Sequence, residues 1–313
     1  MTSATAAPLS AIVVGLDGSG HGDQALDWAI AEATARHLPL HLVHAHETTV
    51  TVWSPMVVVP SDLDDDTWVI DAALARVRAA APDLEVTAVS TTGPASAALE
   101  NATRGADTLV VGARGRGVVG SILLGSTSLH VAGHAQCPVV VVRAAEPASD
   151  SWTDTAPQQP GRTVVVGYDG SPRSVDALGY AFAAAALRGL PLDVVTCWEP
   201  EELATYRLSP TVADEVRAAK AGHHRDLALA AASPWREKYP DVEIRIHVTT
   251  DHPAVGLVSR SFDAALVVVG SRGLGSVRGP LLGSVSSAVL HGCLRPVAVV
   301  RSPSEDHAAG RRG

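Results

Sequence analysis

Two kinds of hydrophobic pattern alternate along this chain. Short runs that are apolar at every position, such as AIVVGL at 11–16 and TVVVG at 163–167, read as strands buried on both faces. Each is followed by a stretch with apolar residues every three or four positions: Leu26, Ala29, Ile30 and Ala33 after the first, and Leu178, Phe182, Ala185 and Ala186 after the second. That spacing covers one face of a helix. HLP at 37–39 and GLP at 189–191 end the two helices. Second strands follow at LHLVHA and LDVVTC, then second helices over Thr67 to Ala80 and Ala213 to Ala232. Pro-Asp opens third strands, LEVTAVS after Pro82 and VEIRIHV after Pro240. Short helices begin near Gly93-Pro94 and His252-Pro253 and lead to the strands TLVVG and ALVVVG. A glycine-rich loop, a helix from Ser126 or Ser284 and a valine-rich strand close each series.

The two series are copies of one another. AIVVGLD at 11–17 matches TVVVGYD at 163–169, LLGSTS at 123–128 matches LLGSVS at 281–286, and CPVVVVR at 137–143 matches RPVAVVR at 295–301. Asp17 and Asp169 are 152 apart while Gly112 and Gly270 are 158 apart, so the second copy carries about six extra residues in its middle. A long-period duplication of this kind means two domains rather than a solenoid. Strict β-α alternation with doubly buried strands gives the class: α/β, two tandem doubly wound domains, each a parallel sheet with helices on both faces. The boundaries expected are 1–147 and 162–303, with a Pro/Ser/Thr/Gln-rich linker at 148–161 and a disordered tail at 304–313. Ligands of such sheets bind outside the carboxyl ends of the strands, where Asp17, Gly112, Asp169 and Gly270 fall.

Composition supports two ordinary cores: 313 residues, 46 % hydrophobic and only 4 % aromatic, so alanine, valine and leucine must fill them. A net charge of −9 gives no overall footprint for nucleic acid. Three cysteines, none in CxxC spacing, argue for a reducing compartment. The N-terminal residues show no signal-peptide pattern, and no run nears the roughly 18 apolar residues of a membrane span. A cytoplasmic protein without membrane or nucleic-acid partners is the expectation.

Gly112-Ala-Arg-Gly115 is followed by nine residues and then Gly125-Ser126; Gly270-Ser-Arg-Gly273, nine residues and Gly283-Ser284 repeat the arrangement. Glycines at a strand end let backbone N–H groups approach a ligand with no Cβ between. The Gly-Ser pair opens a helix, whose first amides and positive dipole end suit phosphate. Glycine fills about 7 % of average sequences, so one such spacing arises by chance in roughly one chain of ten at this length. Its return at the equivalent place, while flanking segments diverged, carries the weight.

This pattern, with a first strand ending in Asp and a closing CPVVVV strand, resembles the ATP-binding class of universal stress proteins over about nine-tenths of the chain. The resemblance implies a five-stranded parallel sheet in the order 3-2-1-4-5 in each domain and one ATP per domain, with Mg²⁺ as a candidate companion. It implies that Asp17 and Asp169 lie near the ribose and that the backbones at Ala45 and Cys197 meet the adenine edge. Gly112, Gly115, Gly125 and Ser126, with Gly270, Gly273, Gly283 and Ser284, would hold the phosphates. Gly15, Arg114 and Thr127, with Gly167, Arg272 and Val285, complete the set assigned to the nucleotide. Thr127 facing Val285, and Gly15 and Gly167 at a position that is Pro in some relatives, are departures that remove no phosphate donor.

Other constellations are weaker. GRGVVG at 115–120 spells a dinucleotide fingerprint but lies outside the first βα turn, and the second copy breaks its spacing. The chain has no GxxxxGK[ST], which excludes a P-loop ATPase. His41, His44 and His46 crowd the end of the second strand; alternation puts His41 and His44 on opposite faces, so a solvated strand end is expected rather than a metal site. Asp62, Asp64, Asp65 and Asp66 read as the acidic start of a helix, and His223-His224 as an exposed helix face. Cys137, replaced by Arg295 in the second copy, reads as packing. A catalyst would need a base or an activated nucleophile beside the phosphates, and the motifs show one carboxylate per site. The favoured reading is a nucleotide-dependent signalling module; a slow ATPase and a nucleotide-independent interaction protein are the alternatives. The apolar final strands would lie at sheet edges, so pairing of the two domains through them within one chain is expected, and further association of whole chains into homodimers is left open.

Overall fold

The computed structural model describes residues 10–46, 67–115, 124–143, 161–198, 209–274 and 282–301. Residues 148–160 of the expected linker, the tail at 304–313, the acidic run Asp62 to Asp66 and residues 116–120 of the GRGVVG segment lie outside them. Two compact units divide between Ala144 and Ala145.

The first unit runs β1 (Ile12–Leu16), α1 (Gly20–Arg36), β2 (Leu40–His46), α2 (Thr67–Ala80), β3 (Val86–Thr92), α3 (Ala95–Ala102), β4 (Thr108–Gly112), α4 (Ser126–His134) and β5 (Val139–Val142). The second runs β6 (Thr163–Gly167), α5 (Pro172–Arg188), β7 (Leu192–Cys197), α6 (Pro210–Lys238), β8 (Ile244–Thr249), α7 (Pro253–Arg260), a 3-10 turn at Ser261–Asp263, β9 (Ala264–Gly270), α8 (Ser284–Gly292) and β10 (Val297–Val300). The strand order is β3-β2-β1-β4-β5 in the first unit and β8-β7-β6-β9-β10 in the second, with each of these neighbouring pairs parallel. Both are the expected 3-2-1-4-5 order. It places β1 beside β4, and β6 beside β9, so the winding reverses there and leaves a crevice at their carboxyl ends.

Small side chains bring the first helix of each unit close to its sheet. Ala25, Ala29 and Ala33 of α1, and Ala177, Ala181 and Ala185 of α5, are buried without exception. Both helices end in a left-handed residue, His37 at φ 53° and Gly189 at φ 60°. Leu38 N–H then reaches Ala33 O at 3.0 Å, and Leu190 N–H reaches Ala185 O at 3.0 Å, closing a Schellman turn in both.

Three details differ from the sequence expectation. The third strands begin two residues later and are not apolar on both faces: β3 has no fully buried position, as befits an edge strand rich in Thr and Ser. The α6 helix spans 29 residues rather than the expected 20 or so from Ala213. Ser209 and Pro210 supply its N-cap and first position, a start signal three residues ahead of the apolar pattern. The helix also runs through the exposed Pro234, because the next residue, Trp235, packs its ring on Gly179 of α5. Cys137 and Cys293 are buried free thiols, and burial pushes Cys137 up to about 12, consistent with packing rather than chemistry.

Candidate functional site

At the end of β1 the chain turns sharply through Gly18, at φ 72°, and Gly170 does the same after β6 at φ 82°. The aspartate just before each glycine organises the turn. Asp17 Oδ1 accepts from Ser19 N–H at 3.0 Å and from Ser19 Oγ–H at 2.7 Å. Asp169 Oδ1 accepts from Ser171 N–H at 2.9 Å. The serines in turn cap α1 and α5, accepting from Gly22 N–H and Ser174 N–H at 3.2 Å each. Asp169 Oδ2 reaches across to the second glycine loop and accepts from Leu274 N–H at 3.2 Å. The carboxylate thus ties the first turn of the unit to its glycine loop.

The glycines fall into three geometries. A Cβ on Gly112 would stand 2.8 Å from the backbone of His21, and one on Gly270 3.0 Å from that of Arg173. These two glycines let the first helix cross the strand end. A Cβ on Gly115 would stand 2.7 Å from Asp17 Oδ2, and Gly273 is crowded by Asp169 Oδ2 in the same way. A Cβ on Gly125 would meet nothing closer than 3.4 Å, so the protein itself does not demand a glycine there.

Gly125 and Gly283 are the N-caps of α4 and α8, and no side chain caps either helix. Gly125 N–H bonds Ala113 O, and Gly283 N–H bonds Ser271 O, both at 2.8 Å. These bonds fold the loop back so that the helix start faces the strand end. Ser128 Oγ–H donates to Gly112 O at 2.6 Å and Ser286 Oγ–H to Gly270 O at 2.6 Å, locking the first helical turn to the strand. These two serines were not among the expected site residues. The signal was present as the second Ser of LLGSTS and LLGSVS, and its role needed the loop closure to be seen.

In the second unit these elements enclose a cleft of about 670 Å³. All nine residues assigned there from the sequence line it: Gly167, Asp169, Cys197, Gly270, Arg272, Gly273, Gly283, Ser284 and Val285. The polar end is Asp169, the glycine loop and the start of α8. The other end is apolar, with Val195, Cys197, Pro253 and Leu257. Burial pushes the Cys197 thiol up to about 11, with Asp251 adding to the rise, so it faces the cleft as a neutral, weakly polar wall. Tyr168 also lines the cleft, and burial followed by the charge of Asp169 raises its phenol, which stays protonated. Leu257 fits because the facing strand residue is Gly167, whose Cβ would stand 3.1 Å from it. Gly15 and Leu99 make the same pair in the first unit, at 2.9 Å. There Gly15, Asp17, Ala45, Gly112, Arg114, Gly115, Gly125, Ser126 and Thr127 occupy the equivalent places at the ends of β1, β2 and β4 and at the start of α4.

The histidine cluster differs from expectation. His41 and His44 are 3 % and 2 % exposed, not solvated. His41 Nδ1 pairs with Thr87 Oγ1 at 2.8 Å, His44 Nδ1 donates to Leu16 O at 2.8 Å, and His46 Nε2 pairs with Thr92 Oγ1 at 2.9 Å. They knit the ends of neighbouring strands together and point to different partners. Among the described residues no group of three His, Cys, Asp or Glu could hold a metal ion. His223 is exposed as expected, while His224 stacks on the buried Trp198 ring at 6.5 Å. No helix among the described residues is long and apolar enough to cross a membrane.

The universal stress protein family profile matches residues 9–143 and 161–301. A universal stress protein of Mycobacterium tuberculosis is 36 % identical over 307 residues, covering 93 % of this chain and 96 % of its own. One from Mycolicibacterium smegmatis is 33 % identical over 298 residues with the same coverage. Among solved structures, a universal stress protein from Archaeoglobus fulgidus has a TM-score of 0.60 at 17 % identity, covering 95 % of this chain and 97 % of that one. A putative universal stress protein from Pseudomonas aeruginosa has a TM-score of 0.64 at 16 % identity and covers 94 % of each chain. At such identities these two speak for the fold, and the sequence relatives and the doubled profile match speak for descent. The chain belongs to the universal stress protein family and carries one family domain in each half.

Proposed function

We propose that each domain binds one adenine nucleotide, ATP, and that the chain is a cytoplasmic, nucleotide-dependent module of the stress response. The observation that carries this is the convergence of nine separately assigned residues on one cleft in the second unit. Its volume of about 670 Å³ lies within the range of small-molecule and cofactor sites. Its two ends also differ as the two ends of a nucleotide do. The base would lie against Val195, Cys197, Pro253 and Leu257. The phosphates would meet the amides at the start of α8, where the dipole end is positive and no side chain competes for the N–H groups. Mg²⁺ would arrive with the nucleotide on phosphate oxygens.

Binding rather than turnover fits the carboxylate. Asp169 uses both oxygens to hold backbone amides, which leaves it a positioning residue rather than a base poised on water. The relatives reported above bear the family's name and no enzyme's. Acid extraction of the purified chain, followed by mass spectrometry, tests the ligand. ATP or another adenine nucleotide is expected in the extract or on add-back. Failure of folded protein to take up any adenine nucleotide removes the reading, and steady turnover that vanishes in Asp169→Ala moves it to an ATPase.

The two domains are further proposed to pair through β5 and β10. Both strands are unbroken valine or alanine runs, VVVV and VAVV, that end their own unit's strand order. A strand that is apolar throughout and ends its domain's sheet invites another strand. Residues 144–160 could span about 50 Å when extended, enough to allow it.

A further inference from the structure

The first unit holds a second hollow, on the flank of α3 away from Leu99 and Gly15. It is a groove of about 310 Å³ between α3 and the outer strands β2 and β3. Its existence follows from the residues. The edge strand β3 lies beyond the reach of α3, and the helix turns mostly small side chains, Ala97, Ala98 and Ala102 with Asn101, toward the gap. Val43 and Val89, neighbours in the strand register, form an apolar floor. At the corresponding positions of the second unit stand Val255 for Ala97 and Phe262 for Arg104, so the guanidinium is not repeated.

The polar groups gather at the rim. Thr91 and Asn101 contribute a hydroxyl and an amide, and Arg104, just past the end of α3, contributes a guanidinium. The acids nearest Arg104 along the chain are already engaged. Glu100 pairs with His130 at 3.2 Å, and Asp107 pairs with Arg36 at 2.7 Å. Among the described residues none forms a salt bridge with Arg104. A further polar atom lies on the floor side: His41 Nε2 is buried without a hydrogen-bond partner. His41 precedes Val43 by two residues and so shares its face of the sheet. Since α3 runs antiparallel to the strands, its Arg104 end lies toward the end of β2 that carries His41.

We propose that this groove is a ligand site peculiar to the first unit, separate from the glycine loops, and that it takes a compact aliphatic monocarboxylate. The alkyl body would lie on Val43, Val89 and Ala98, and the carboxylate would sit in the fork of Arg104 with the Asn101 amide beside it. One guanidinium matches one carboxylate in both charge and geometry. An apolar floor with a few convergent polar groups is the usual make-up of a small-molecule pocket.

The test titrates the full chain, with methyl groups of Ala, Val and Leu carrying ¹³C, with sodium octanoate. Saturable shifts confined to Val43, Val89, Ala97, Ala98 and Ala102 are expected. Arg104→Ala, at an exposed position, should weaken binding by about tenfold, the scale of one charge-assisted contact. Ala97→Leu should fill the groove and abolish the shifts in a chain that keeps its circular dichroism spectrum. 1-Octanol should bind with equal affinity to the wild type and to Arg104→Ala, and saturating ATP should leave octanoate binding unchanged. The proposal is overturned if octanoate gives no saturable shifts, if both variants bind it as the wild type does, or if ATP displaces it.

Discussion

Single residues in this chain separate packing from binding. Gly112 and Gly125 belong to one motif, yet a Cβ on the first would meet the His21 backbone at 2.8 Å and a Cβ on the second would meet nothing closer than 3.4 Å. Gly112→Ala should therefore destabilise the first domain, by about 1–3 kcal/mol for an overpacked site. Gly125→Ala should leave stability nearly unchanged and weaken nucleotide binding. Urea denaturation alongside nucleotide titration checks the pair, and equal loss of stability in both variants contradicts the distinction. His37 is exposed and left-handed where the second unit has Gly189, so His37→Gly should raise stability by about 1 kcal/mol. Burial lowers the His41 imidazole from its ordinary value of 6.5. The unfolded chain then takes up a proton first, so stability falls as pH drops through 6.5 toward the depressed folded value. His41→Leu should flatten the acid limb of a pH series of urea midpoints, and an unchanged limb would show that the acid sensitivity comes from elsewhere.

At the scale of elements, most strands and helices were legible because their patterns are unmixed. The β1, β4, β6 and β9 strands are apolar at nearly every position, and α1 and α5 repeat alanine on one face. The places that misled are those where a distant element decides. The extent of α6 depends on Trp235 meeting Gly179, which lies on another helix, and local propensity would have ended it at Pro234. Burial of His41 and His44 depends on Thr87 and on the Leu16 carbonyl, which come from neighbouring strands. Of the candidate site, the glycines, Asp17 and Asp169 were visible as motif. Tyr168, Leu257 and Ser286 were not, because nothing local marks a residue as facing a cleft. The uncapped starts of α4 and α8 lead to an element-scale prediction. Gly283→Glu puts a carboxylate at the end of the cleft proposed to take the phosphates, and it should abolish nucleotide binding in the second domain while leaving the first untouched. Loss of the second domain's circular dichroism signal would instead mark that glycine as structural.

For the whole molecule, duplication gives two domains with matched geometry and unmatched chemistry. Corresponding hydrogen bonds agree to within about a tenth of an ångström: Ser128 and Ser286 both bond at 2.6 Å, and Gly125 and Gly283 both at 2.8 Å. Leu16 against Tyr168, Ala113 against Ser271 and Thr127 against Val285 differ beside those same bonds, so two sites of unequal affinity are expected. The proposed pairing of domains has its own test. Lysine at both Val140 and Val299 should enlarge the radius measured by small-angle scattering if each domain stays folded, and an unchanged radius in folded protein removes that seam. The central claim, one nucleotide per domain, is tested most directly by equilibrium dialysis of the full chain against labelled ATP. A stoichiometry near two, falling to one in Gly283→Glu, is the predicted result, and folded protein that binds none contradicts it.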